Sequence, residues 1–403
     1  MPAFTPFRAL RYAPGTDLNA VIAPPYDVLS KADVAALKAR DPHNITHIDV
    51  PAGGDPALTG GDPYGQAALA LRRWLGEGVL VPDESPSYTI YRMAFTDEAG
   101  ARRELVGVLG GLEVVDAGAG GVLPHERTTP KAVTDRLDLT RATKANLSPV
   151  WGLSLASGLS AALADGGEPI GELTVEGVRH SVERLTDPAR IAEVGAVIAS
   201  DDVLIADGHH RYAISRTWRD EVRAATGRTD TAAEQTLAFV GELAPEQLSI
   251  EAIHRLYSGI CFDHLRAALA ASFDLAPLAE VTPATLKQMV ADGRLVLVRP
   301  DGSAEWLIPK SGAFDGVRAL DGAYLEHALA PVAAQGAQLQ VSYQHGLAEM
   351  LEAVKDQTAG VLIRPTSLAE IRRTAREGLL MPPKSTFFTP KLRTGFVIRP
   401  AGA

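Results

Sequence analysis

A mixed α/β or α+β fold divided over more than one domain is what this sequence predicts, and three observations predict it. The chain has 403 residues, more than one ordinary hydrophobic core organises. Short apolar runs of strand length alternate with segments whose apolar residues recur at helical spacing. The balance of 46% hydrophobic and 22% charged residues is that of a globular chain, not of a disordered or fibrous one.

In chain order, the proline- and aromatic-rich start holds Ala23-Pro24-Pro25-Tyr26-Asp27, which is extended and rigid because each proline restricts the residue before it. Ser30 with Asp33 reads as a capping box opening a helix over DVAALKAR, and a second helix centres on Leu69, Leu71 and Trp74. Strands are expected at 87–95 and 104–114, then in ELTVEGVRHSVERL, followed by the helix ARIAEVGAVIAS. After residue 203 comes strand, turn and helix; in the helix Ile214, Trp218 and Val222 form the apolar stripe, while Arg216, Arg219, Asp220 and Arg223 face water. Beyond Gly227 strands and helices alternate to the end. Glycine content and pattern divide the chain into 1–118, 119–260 and 261–403.

Bulk chemistry narrows the function. A net charge of −10, from 39 basic and 49 acidic residues, opposes general nucleic-acid binding but leaves room for one nucleotide in a local basic pocket. Cys261 is the single cysteine, so an intrachain disulfide and a multi-cysteine metal site are excluded, and a reducing compartment fits. The opening MPAFTPFRALRYAPG lacks the plan of a secretory signal, and no apolar run approaches the roughly 18 residues of a membrane span, so a cytoplasmic protein is expected. Oligomeric state is left open.

The decapeptide VLIADGHHRY at 203–212 carries the chemistry. Gly208 lets backbone approach a ligand, the first N–H groups of the following helix lack intrahelical partners, and His209, His210 and Arg211 gather in the same turn. A phosphate suits such a place. The counterpart is PHERTTPKAVTDR, where His125 and Glu126 stand together and Lys131, Asp135 and Arg136 follow. Glu126 is the candidate general base; the alternative is that Glu126 and Asp135 merely pair with Lys131 and Arg136. No HExxH, P-loop or GxGxxG pattern occurs, so magnesium held through phosphates and carboxylates fits better than zinc, with Asp207 and Asp27 as oxygen donors. Near the end, Lys384, Ser385 and Thr386 with Lys391 and Arg393 either close on an anionic substrate or form a strand pair with solvated lysines.

With APPYDV, PHERT, ADGHHRY and MPPKST in this order, the chain resembles a bacterial and archaeal family known as domain of unknown function one thousand and fifteen. The run from PHE to DGHHR is also similar to the ParB/sulfiredoxin superfamily, in which a G-[EH]-[RH]-R motif contacts nucleotide phosphates and which includes free-serine kinases. That resemblance implies a ParB-like central part. It implies phosphate contacts from Gly208, His209, His210 and Arg211, Glu126 as the base and Asp207 positioning metal or substrate. Read from the residues themselves, Lys384, Ser385 and Thr386 are expected to aid phosphate binding, His210 to join Glu126 and Asp207 in catalysis, and Tyr26, Asp27, His125 and Arg136 to contact substrate. Asp207 would hold magnesium with ATP or ADP, and Asp27 or Asp135 could replace Glu126 as base. The function so implied is phosphoryl transfer from a nucleotide to a small hydroxylated metabolite, free serine foremost. The alternatives are a nucleotide-binding regulator or scaffold, and a phosphatase in which His210 or Glu126 activates water.

Overall fold

The structure, a computed structural model, describes residues 1–51, 62–97, 100–125, 133–334, 338–381 and 384–402. Two sheets dominate. The first is nine-stranded and comprises β1 (Phe4–Thr5), β2 (Tyr88–Thr96), β3 (Arg102–Glu113), β4 (Val122–Leu123), β5 (Val150–Ser154), β6 (Glu168–Val175), β7 (Val178–Leu185), β8 (Val203–Asp207) and β9 (Gln235–Glu242). Its order is β4-β8-β5-β9-β3-β2-β7-β6, with β1 paired to the end of β3. The pairings β4 with β8 and β5 with β9 are parallel, while β5 with β8 is antiparallel. The sequence read ELTVEGVRHSVERL as one strand candidate; it is the β6–β7 hairpin, turning at Glu176 and Gly177, both with positive φ.

Strand alternation sends side chains to two cores. In β8, Leu204 and Ala206 face one side, Val203 and Ile205 the other; in β9, Leu237 and Phe239 oppose Ala238 and Val240. The first side is covered by α1 (Lys31–Arg40) through Leu37, by α2 (Pro63–Gly76) through Leu71 and Trp74, and by α3 (Val133–Thr143) through Leu139. The capping box of Ser30 and Asp33 forms at the start of α1 as read from sequence. On the second side α4 (Pro188–Ile198) buries Val194 and Ile198, and α5 (His209–Thr226) contributes Tyr212.

In α5 the buried positions include Ile214 and Val222, but Trp218 is half-buried, its indole N–H donating 2.8 Å to the Ala401 carbonyl. Arg219, expected to face water, is 3% exposed. Its guanidinium donates to the Val114 carbonyl at 2.5 Å and to Asp116 and Asp220, so the polar head of a long side chain is satisfied inside the protein.

The second sheet joins β10 (Ile253–Ser258), β11 (Phe273–Leu278), β12 (Leu295–Val298), β13 (Ala304–Pro309), β14 (Gln340–His345) and β15 (Ala359–Leu362) in the order β11-β13-β12-β15-β10-β14, every pair antiparallel. Helices α6 (Phe262–Ser272) and α8 (Asp321–Ala334) cover one face through Leu265, Leu269 and Leu325, while α7 (Pro283–Asp292) and α9 (Leu347–Ala353) cover the other through Met289 and Met350. A further helix, α10 (Leu368–Arg376), buries Ile371 and Ala375 back in the first unit's core.

These sheets cut the chain differently from the division read from sequence. Strands on both sides of residue 118 share one sheet, and the change of sheet falls between β9 and β10, between residues 242 and 253. The segment 387–400 does not stay with 261–403. Its strand Phe387–Thr389 pairs with Ser249–Glu251 and Arg399–Pro400 with Ala145–Asn146, while Thr394 and Ile398 bridge to Ala23 and Leu10. Burial of Phe388, Leu392, Phe396 and Ile398 drives this return, because those side chains complete the first unit's core. Among the described residues, no helix is long and apolar enough to cross a membrane.

Candidate functional site

The end of β8 places Asp207 at the sheet edge, and the chain then enters α5 through a single residue, Gly208, with φ +88° and ψ +28°. This conformation favours glycine, and space demands it too: a Cβ here would lie 3.1 Å from Arg211 Cζ and Nε and 3.3 Å from the Val150 Cα. The bare backbone lets the Arg211 guanidinium fold back over the junction. Among the described residues, no side chain caps the start of α5.

Arg211 is the hub. Its side chain is only 9% exposed. Nη1 donates to the Pro149 carbonyl, Nη2 donates to Asp207 Oδ2 at 3.1 Å and stands 3.8 Å from Asp27 Oδ2, and Nε has no partner among the described residues. A second cation meets the same carboxylate: Lys391 Nζ lies 3.4 Å from Asp207 Oδ2 and 4.3 Å above the Phe387 ring. Burial alone would raise the Asp207 carboxyl, but Lys391 and Arg211 overcome it and hold it well below the usual range. Asp27 is the more open acid, its side chain 42% exposed.

The turn bearing Asp27 is held from behind. Tyr26 to Val28 form one helical turn after the rigid Pro24-Pro25, and the Arg136 guanidinium lies 4.0 Å over the Tyr26 ring. Arg136 donates to the Asp49 carbonyl at 2.7 Å, to its carboxylate at 3.1 Å and to Asp135 at 3.0 Å. Asp49 is buried; burial pushes its carboxyl up against the opposing pull of Arg136 and Arg211. Arg136 therefore braces Tyr26 and Asp27.

His125 and His209 are neighbours, rings 4.8 Å apart and edge to face. His125 Nδ1 lies 2.7 Å from the Ile205 carbonyl, which can only accept, so Nδ1 carries the proton and Nε2 accepts from the Thr386 hydroxyl at 2.9 Å. Burial pushes His125 down to about 4 and His209 well below its ordinary value, so both are neutral at pH 7. His125 is fully buried with both ring nitrogens engaged, so it anchors the returning C-terminal segment, a hold reinforced by the Met381 amide donating to its carbonyl at 2.7 Å. His210 is half-buried at the start of α5.

Of the C-terminal residues singled out, Thr386 reaches the junction through His125, the Ser385 carbonyl accepts from Thr366 at 3.0 Å, and Lys384 is exposed with φ +62°. Glu126, with Lys131, lies outside the described residues. Sequence reasoning passed over Asp49, and placed Lys391 in a loop that could close on an anionic substrate without foreseeing its pairing with Asp207. Nothing in ITHIDV marks Asp49, whereas the basic KSTFFTPKLR was a visible signal for Lys391.

Two cavities flank the junction. One of about 560 Å3 is walled by Ile22, Val28, Leu29 and Val178 on one side and by His345, Phe387, Lys391 and Arg393 on the other. A smaller one of about 50 Å3 is lined by Tyr26, Asp49, Arg136, Ser148 and Arg211. Lys391 thus links the larger space to Asp207. Among the described residues, no group of three or more His, Cys, Asp or Glu side chains is arranged to hold a metal ion. Chemically, an uncapped helix start, a buried guanidinium and an ammonium are the parts from which phosphate sites are made, with an exposed carboxylate beside them.

Fold and site together define a mixed α/β protein with a strand–glycine–helix junction carrying cations. The chain belongs to the family described as "Protein of unknown function (DUF1015)", which matches residues 4–323. Among curated proteins, none matches. Among solved structures, the chain is similar to a free serine kinase variant in complex with ADP (12% identity, 67% of this chain and 84% of that one, TM-score 0.37). It is similar also to SbnI with C-terminal truncation from Staphylococcus aureus (13%, 73% and 88%, 0.39). A conserved hypothetical protein from Pyrococcus furiosus gives 11% identity over 69% and 92%, with a TM-score of 0.37.

Proposed function

We propose that the chain is a nucleotide-dependent phosphotransferase that modifies the hydroxyl group of a small metabolite, free serine being the first acceptor to try. The observation that carries this reading is the pairing of Arg211 and Lys391 on Asp207 at an uncapped helix start, with Arg211 Nε unpartnered and a cavity of about 560 Å3 alongside. An incoming phosphoryl group meets the backbone of Gly208 to Arg211 and competes with Asp207 for the two cations. Phosphoryl transfer needs chiefly positioning and charge neutralisation, which these groups supply.

Magnesium with ATP or ADP fits this site in one respect and not in another. Asp207 is engaged by two cations, so it is a poor ligand; Asp27 is open and suits an ion held by one carboxylate, water and phosphates. When bound, magnesium would neutralise phosphate charge. Glu126 remains the proposed base that accepts the acceptor's hydroxyl proton, because it follows directly on His125, which is fixed against the Ile205 carbonyl.

Incubation of the purified chain with ATP or ADP, magnesium and a panel of hydroxylated metabolites, read by phosphorus NMR, tests the proposal. A new phosphomonoester resonance that requires both nucleotide and acceptor is expected. Nucleotide binding without any transfer across the panel, or phosphate release from a phosphorylated metabolite alone, would overturn it in favour of a regulator or a phosphatase.

A further inference from the structure

A third cavity, separate from the Asp207 junction, lies where the first unit meets the second sheet; its volume is about 350 Å3, within the range of small-molecule sites. Strand alternation in β10 puts His254 on the same face as Leu256, the face that α7 covers. In α7, Pro283, Leu286, Lys287 and Val290 recur at spacings of three and four, so they form one stripe, and all four line the cavity. Met289 of the same helix is fully buried, yet Val290 is 58% exposed. An apolar side chain so exposed at a cavity mouth is surface that a ligand would cover.

His254 brings a polar ring to the cavity wall. His254 is 2% exposed, and its Nδ1 accepts from the Ile363 amide at 3.2 Å, so Nε2 carries the proton. Burial pushes the imidazole down to about 4, so it is a neutral donor at pH 7. Its Nε2–H has no hydrogen-bond partner among the described residues although the ring lines the cavity. The positive groups at this cavity are Lys287 and Arg364, the latter forked onto Asp321. Two acids also line it, Asp97, which pairs with Arg103 at 2.5 Å, and Glu251, which is itself engaged.

We propose that this cavity binds a small monocarboxylate with an apolar tail, the carboxylate accepting from His254 Nε2–H and drawn by Lys287, the tail lying along Leu286 and Val290. Both recognition elements are then used. A donor without a partner among the described residues receives an acceptor, and exposed apolar surface is covered.

The test uses phenylacetate as probe and phenylacetamide as its uncharged counterpart, with the full chain and titration by ligand-observed NMR. Saturable phenylacetate binding is expected, with the amide several-fold weaker. Leu286→Trp, which fills the space, should abolish it; His254→Phe should weaken it about tenfold; Lys287→Ala, on an exposed residue, should weaken it several-fold without altering the circular dichroism. Absence of saturable binding, or binding that Leu286→Trp and Lys287→Ala both leave unchanged, overturns the proposal. Should His254→Phe fail to fold, those two variants decide it.

Discussion

Replacing Arg211 tests the site most directly, and the structure sets the size of the effect. The side chain is 9% exposed and is tied to the Pro149 carbonyl, to Asp207 at 3.1 Å and to Asp27 at 3.8 Å. Removing one partner of a buried charge pair costs about 3–5 kcal/mol, since the remaining charge is left in a poorly solvating place. Asp207 keeps Lys391 at 3.4 Å, so the loss for Arg211→Ala belongs near the lower end, about 3 kcal/mol. Arg211→Lys retains a charge but not the planar fork that serves Pro149 and Asp207 together, and should cost about 1–2 kcal/mol. Urea unfolding reads both, and the alanine variant's midpoint should fall by about 1 M or more. On the folded lysine variant, ATP affinity should drop at least tenfold. Both variants unfolding at the wild-type urea concentration would refute the buried pairing, and unchanged ATP affinity in Arg211→Lys would remove this side chain from the phosphate site.

Lys391→Met leaves Asp207 with Arg211 as its cation and should weaken nucleotide binding about tenfold by calorimetry while the protein stays folded. Gly208→Ala forces a side chain into φ +88° and against the Val150 backbone, so a loss of about 1–3 kcal/mol and a melting temperature several degrees lower are expected; an unshifted melting curve would contradict the geometry. Thr386→Val removes the hydroxyl that donates to His125 and should cost about 1 kcal/mol in urea unfolding. Burial depresses His125, His180 and His254 to about 4, 3 and 4 from an ordinary 6.5. The unfolded chain therefore takes up protons first as pH falls. Their contribution is complete above pH 6.5 and is lost as pH drops toward and through 4, so urea midpoints that stay constant from pH 7 to pH 4.5 would contradict the buried neutral state.

The strand–glycine–helix course of 203–226 was legible because its determinants are local: an apolar run, a glycine and a helical repeat within some twenty residues. The same is true of the Ser30–Asp33 capping box and of most helices and strands beyond Gly227, though the strands Phe273–Leu278 and Ala304–Pro309 were not read. Arg219 was misread as solvated because helical spacing cannot show that the Val114 carbonyl waits beside it. Strands on both sides of the glycine-rich stretch near 118 share one sheet, because a glycine-rich turn can lie inside a sheet as well as between two.

By itself, then, the sequence determined many of the strands and helices, and that Asp207 to Arg211 would stand at the mouth of a helix. Tertiary structure decided the partners. Lys391 and Thr386 reach the junction from near the other end of the chain, and Asp49 braces Arg136 from within the first unit. Phe388, Leu392 and Ile398 bring that last segment home by burying apolar surface, which depends on shape and not on spacing along the chain. The pairing of distant charges follows from that burial, and no local pattern encodes it.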